Sequence, residues 1–154
     1  MARKTLGAVL ALALGLAPMA AGQSECLFKE YDINDLASIL TTEGYPSVQV
    51  QDAGRIRFEV DGMPYILFLK ADGDLQMYCG FAGARLAFED INEWNQKARL
   101  VKAYIDDEQD PVMVSDLLAN AGINEEIVKF FVKFFVEQFG PEFRKFVNDR
   151  NRAR

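Results

Sequence analysis

The densest run of side chains able to bind a cation or move a proton is Asp106-Asp107-Glu108-Gln109-Asp110. A calcium loop needs oxygen ligands at graded spacing and a glycine at its sharp turn, and this run has no such glycine. It reads instead as a solvated hairpin tip. Asp72-Gly73-Asp74 opens like a calcium loop. No glutamate follows at the distance a bidentate ligand requires, so it reads as a turn between strands. Histidine is absent from the whole chain. The commonest general base, the commonest zinc ligand and the natural switch near neutral pH are therefore missing. No serine or cysteine can be activated by an imidazole. There is no Gly-x-Ser-x-Gly, no phosphate-cradling glycine loop and no dinucleotide fingerprint, and Gly80-Phe81-Ala82-Gly83 is too short to serve as one. A hydrolase built on paired carboxylates has no recognisable pair here. The expectation is a non-enzymatic chain with no catalytic residue, no metal and no cofactor.

What remains is chemistry of surface. Ile127, Val128, Phe130, Phe131, Val132, Phe134, Phe135, Val136 and Phe139 crowd one segment. At about 100° per residue they cover about two thirds of a helix circumference, leaving Lys129, Lys133 and Glu137 as the polar stripe. One sheet face does not need so wide an apolar arc. Either the rest of the chain covers the flank, or a partner does. Trp94 reads first as a core anchor, since an indole buries much area, and second as a ligand platform. The interface candidates are Trp94, Phe130, Phe131, Phe134 and Phe135, for an unknown protein client or a homodimer. The alternative is a small-ligand sensor with an apolar pocket between sheet and last helix, near Trp94, Phe130 and Phe134.

The first 22 residues read as a secretory signal peptide. Arg3 and Lys4 precede an apolar run from Leu6 to Leu16, Pro18 breaks it, and Ala20-Ala21-Gly22 supplies small residues before Gln23. An uncleaved anchor is the other reading, but the run is short for a span. Cys26 follows Gln23, Ser24 and Glu25, which is no lipobox. A periplasmic or secreted protein without stable membrane insertion is expected. Without Arg3 and Lys4 the 17 basic residues become 15 against 23 acidic ones, a net charge of −8. Such a chain repels phosphate backbones, so nucleic acid is not an expected partner. An oxidising compartment permits a Cys26–Cys79 disulfide; two unpaired thiols are the other possibility.

The elements that must position these residues follow from periodicity. Asp32 caps a helix carrying Ile33, Leu36, Ala37 and Leu40, and Gly44 ends it. Alternation marks strands at Val48–Val50, Ile56–Val60 and Leu75–Cys79, with turns at Asp52–Gly54, Asp61-Gly62 and Asp72–Asp74. Tyr65–Leu69 is apolar on both faces and reads as a central strand covered on both sides. A second helix should turn Phe88, Ile91, Trp94, Asn95 and Ala98 inward. Leu100–Ile105 reads as a fifth strand and Pro111–Leu118 as a sixth, with a short helix over Ser115–Ala121 as the competing reading. Asn124 caps the last helix, which should run to about Phe139, be interrupted by Gly140-Pro141 and resume briefly over Glu142–Val147. Arg150, Arg152 and Arg154 should lie in a frayed basic end. The chain is thus one α+β domain over residues 23–154, an antiparallel sheet of five to six strands flanked by helices.

Gly44-Tyr45, Arg57-Phe-Glu-Val-Asp-Gly62, Ile91-Asn-Glu-Trp-Asn95 and Ala103-Tyr-Ile-Asp-Asp107 resemble the YbjN family from about Tyr31 to Phe139. The resemblance implies sensory transduction regulation in bacteria, a fold like that of type III secretion chaperones, and frequent dimerisation. It carries no catalytic residues. This chain departs from the family pattern in its export leader.

Overall fold

The computed structural model describes residues 30–152. The expected signal peptide, its expected cleavage point, Cys26 and Arg154 lie outside them. The order is α1 (Ile33–Thr42), β1 (Gln49–Asp52), β2 (Arg55–Val60), β3 (Met63–Leu69), β4 (Leu75–Gly80), α2 (Phe88–Lys97), β5 (Lys102–Ile105), β6 (Pro111–Leu117) and α3 (Glu125–Phe134). A π-helical turn (Phe135–Phe139) then leads into α4 (Gly140–Arg152). Six strands form one antiparallel sheet in the order β1-β2-β3-β4-β6-β5. The strand reading of Pro111–Leu117 therefore prevails over the helical one.

Local chemistry sets most boundaries. Asp32 Oδ1 accepts from the amides of Asn34 and Asp35, both at 2.8 Å, and so satisfies two free donors of the first turn. Asp61 and Gly62 both take positive φ, +52° and +73°, the pairing that matches a tight hairpin to strand twist. The Asp72–Asp74 turn also has a long-range role. Asp74 Oδ1 accepts from the amides of Ala119 and Asn120 at 2.8 and 3.1 Å, tying the β3–β4 hairpin to the chain leaving β6.

The register divides the sheet into two faces. Ile56, Phe58, Tyr65, Leu67, Met77, Cys79, Met113 and Ala103 are buried in the core. A train of rings crosses it: Tyr45 to Phe58 at 5.1 Å, Phe58 to Tyr65 at 5.7 Å, and Tyr65 to Phe135 at 6.1 Å. This binds the end of α1, the sheet and the last helix into one body. Trp94 on α2 packs against α4, 4.9 Å from Phe143 and 5.5 Å from Phe146.

Several expectations are corrected. Gly140-Pro141 does not interrupt the helix. The Gly140 amide donates to Phe135 O, one residue further back than an α-helix would use. That register leaves Val136 O without its α-helical donor, and Pro141 has no N–H to offer a π-type replacement. The Tyr65 hydroxyl donates to Val136 O instead, at 3.4 Å. Gly140 is needed for space, since a Cβ there would collide with the Tyr65 hydroxyl oxygen. Nor is the basic end frayed at Arg150. Its guanidinium reaches Glu93 at 2.5 Å and Asp90 at 3.5 Å and lies over the Phe146 ring. Phe88 points outward, 74% exposed, because the α2 stripe that faces the core is Ile91 and Trp94. Leu100 precedes β5 and does not join it.

The clash geometry makes a coupled prediction. Gly140→Ala should destabilise the fold by about 1–3 kcal/mol through overpacking, and Tyr65→Phe by about 1 kcal/mol through the lost hydrogen bond. Combined, they should cost less than their sum, because removing the hydroxyl makes room for the methyl. Urea denaturation of the four proteins measures this, and additive or worse losses would refute the contact.

Candidate functional site

Two carboxylates of the acidic turn are committed to structure. Asp106 Oδ1 accepts from the amides of Glu108 and Asp110 at 3.0 and 2.9 Å. Buried Asp110 accepts from the Gly83 amide at 2.9 Å and pairs with Arg85 at 2.8 Å. Among the described residues no group of three or more acidic or cysteine side chains is placed to hold a metal ion. Tyr78 and Tyr104 stand nearby. Burial first, then the Tyr104 phenol and Asp106, push the Tyr78 phenol above its usual range; burial and then Asp106 do the same to Tyr104. Both stay protonated and are poor bases. Cys79 lies fully buried, and burial pushes its thiol up to about 12. Cys26, its candidate disulfide partner, is outside the described residues.

Of the predicted interface residues, the structure separates core from surface. Trp94 and Phe135 are buried and unavailable to a partner. Phe131 and Phe134 are half-buried. Phe130 is 67% exposed. Its ring stacks on Phe134 at 5.5 Å, and Phe134 meets Phe139 edge-on at 5.0 Å. Across from them Leu100 is 71% exposed. Between lies an open groove of about 310 Å³ lined by Leu100, Leu117, Ile127, Phe130, Phe131 and Phe134, among others. Trp94 lines a different depression with Lys97, Glu142, Lys145 and Phe146. The single pocket expected near Trp94, Phe130 and Phe134 is therefore two separate places, because α4 takes the indole into its own contacts.

No pattern in the sequence marks Leu100. Its φ is +67°, a conformation bulky residues rarely adopt. The Ser115 hydroxyl donates to its carbonyl at 2.8 Å and holds it. An apolar side chain is thus kept in water at a cost in backbone strain, which is a pointer to function.

The second surface is the outer face of the sheet, where Ile66, Phe68 and Tyr78 are half-buried and Tyr104 is exposed, while Val112 and Val114 on β6 are buried. Arg57, Ile66, Tyr78, Val114 and Lys102 form one row across five strands. Phe68 stands edge-on to Tyr78 at 6.2 Å, with Lys70 4.6 Å above its ring. Ile66, Phe68, Tyr78 and Tyr104 are outside the core cluster, and no described helix packs over them. This corrects the expectation that β3 is covered on both sides. Its outer side chains are apolar, with Pro64 exposed and Ile66 and Phe68 half-buried.

Asn95 explains part of the Asn-Glu-Trp-Asn element. Its side-chain amide accepts from Ala103 N–H at 2.8 Å and donates to Ala103 C=O at 3.0 Å. It thereby occupies the outward-facing backbone groups of edge strand β5, which an unprotected edge would offer to another chain.

A family model described as "YbjN: Putative bacterial sensory transduction regulator" matches residues 32–146, the span that holds the sheet and its helices up to the middle of α4. This chain belongs to the YbjN family. No curated protein matches it. A solved structure with a similar chain path is that of the Yersinia pestis type III secretion chaperone SycH in complex with a stable fragment of YscM2. The TM-score is 0.49 at 9% identity, over 69% of this chain and 92% of the other. The α+β, open antiparallel sheet expected from the sequence of this YbjN protein is the one observed.

Two measurements follow. Asn95→Ala should cost about 1–2 kcal/mol in thermal or urea denaturation, from two lost hydrogen bonds to backbone. A neutral result would remove Asn95 as the guard of the β5 edge. In a Cys26→Ser chain, Cys79 should resist iodoacetamide in the native state and react once urea unfolds it; rapid native labelling would contradict its burial.

Proposed function

We propose that this YbjN protein is a non-enzymatic, exported binding module that works in the periplasm or outside the cell, chaperone-like, by holding another polypeptide. The observation that carries the reading is the apolar outer sheet face. Pro64, Ile66, Phe68, Tyr78 and Tyr104 sit on a rigid six-stranded frame, uncovered by any described helix. Pro64 and Tyr104 are exposed and Ile66, Phe68 and Tyr78 half-buried, and contiguous apolar surface within reach of solvent is a usual mark of an interaction site. Tyrosines at its centre and edge suit a protein partner, since each offers a broad ring and a hydroxyl at low entropic cost. Arg57 and Lys102 at the two ends of the central row would receive carboxylates on the partner's rim. Catalysis is disfavoured by the absence of histidine and by carboxylates committed to turns and ion pairs.

The leader supports export, and N-terminal sequencing of the exported chain should begin at Gln23. A photo-crosslinking amino acid placed at Ile66 or Tyr78 in the native host should yield a defined protein adduct. One placed at Glu89, on the outer side of α2, should not. Equal or absent labelling at all three positions would sink the reading.

A further inference from the structure

We propose that a hollow at the acidic end of the outer sheet face seats one basic side chain of the bound polypeptide, its aliphatic stem on the sheet and its cation among carboxylates. This rests on the client-binding reading above and adds the chemistry the client must carry. The hollow measures about 170 Å³ and is lined by Pro64, Ile66, Tyr78, Phe81, Asp106 and Glu108, among others. Pockets for whole small molecules begin at about 300 Å³, so this one suits a single long side chain. Gly80 also lines it, and a Cβ there would come within 2.9 Å of the Tyr78 hydroxyl oxygen. The missing side chain lets the Tyr78 ring reach along β4 beside the hollow.

The walls select the occupant. Pro64 is exposed and Ile66 half-buried, an apolar footing for the methylenes of a Lys or Arg stem. Tyr78 and Phe81 are half-buried rings, whose faces attract a cation. Every charged residue lining the hollow is a carboxylate: Asp106, Glu108 and Asp110. Buried Asp110 uses only Oδ1, on the Gly83 amide and the Arg85 guanidinium. Asp106 likewise uses only Oδ1, on two amides. Neither Oδ2 has a partner among the described residues, and the exposed Glu108 carboxylate has none there either. Arg85 offsets one of the three charges, so the hollow stays negative. Glu59, exposed and opposite Pro64 in the register, extends that sign. A neutral side chain seated here would strip water from these oxygens and give nothing back, whereas a cation satisfies them. Arg57 and Lys102 stand two residues back along their strands from Glu59 and Tyr104, so the face separates the two signs.

The probe is Nα-acetyl-arginine amide, titrated into the isotope-labelled mature chain and followed by amide chemical shifts. It should bind weakly, in the millimolar range expected of one side chain, and move the signals of Gly80, Ala82 and Glu108. The neutral isostere Nα-acetyl-citrulline amide should bind about tenfold more weakly or not at all. Glu108 is exposed, so its variants test charge without threatening the fold: Glu108→Gln should weaken binding and Glu108→Lys abolish it. In the host, Glu108→Lys should also diminish the client adduct formed at Ile66, and the crosslinked client peptide should carry an Arg or Lys close to the adduct. Equal binding of the citrulline probe would overturn the proposal, as would arginine binding indifferent to both variants or no arginine binding at all. If the Ile66 adduct persisted unchanged in such a case, the client reading would stand without this pocket. Arginine binding that meets every charge criterion, with no adduct anywhere on the face, would instead uphold the cation site and refute the client.

Discussion

The segment from α3 to α4 stays on the sheet as one continuous rod because a hydroxyl and a missing side chain fit together. Tyr65, in the central strand, lies where any Cβ at position 140 would be, and its hydroxyl serves Val136 O, which the π turn strips of its α-helical donor. The turn shifts the helical register, so that Phe135, Phe139 and Phe143 can all face inward while Phe130 cannot. Pro141, which would break an ordinary helix interior, costs little here because its absent N–H falls at the disturbed turn.

The same rod anchors the other elements. Lys129 links α3 to the end of α1; the hydrogen bonds it donates, chiefly to Glu125 and then to Glu43, hold its ammonium well above the usual range. At the far end Arg150 reaches back to α2, and Phe143 and Phe146 hold Trp94. All described helices thereby collect on one side of the sheet. With none left for the other side, Ile66, Phe68 and Tyr78 stay half-buried there.

Much of the fold is legible in the sequence because period-two and period-3.6 patterns report local geometry faithfully. The alternating strands, the Asp32 and Asn124 caps and the Asp61-Gly62 hairpin depend on near neighbours, and each is where its residues put it. The misreadings concern residues whose role is set by something distant. Gly140-Pro141 reads as a stop because the Tyr65 hydroxyl that accommodates it comes from a strand far earlier in the chain. Tyr65–Leu69 reads as doubly covered because an apolar strand has the same pattern whether a helix or a partner lies over it. Phe130 and Phe135, on one apolar arc, are equivalent as interface residues until the π turn sets their faces.

By itself the sequence determined that this chain has no histidine chemistry, that it opens with an export-type pattern, and that it forms an α+β domain with a Phe-rich last helix. Those conclusions rest on residue types and on contacts a few positions apart. Only the tertiary structure decided which apolar residues are spent inside and which are left over. Burial depends on what the chain brings back from far away, and period alone cannot tell a core face from a waiting one.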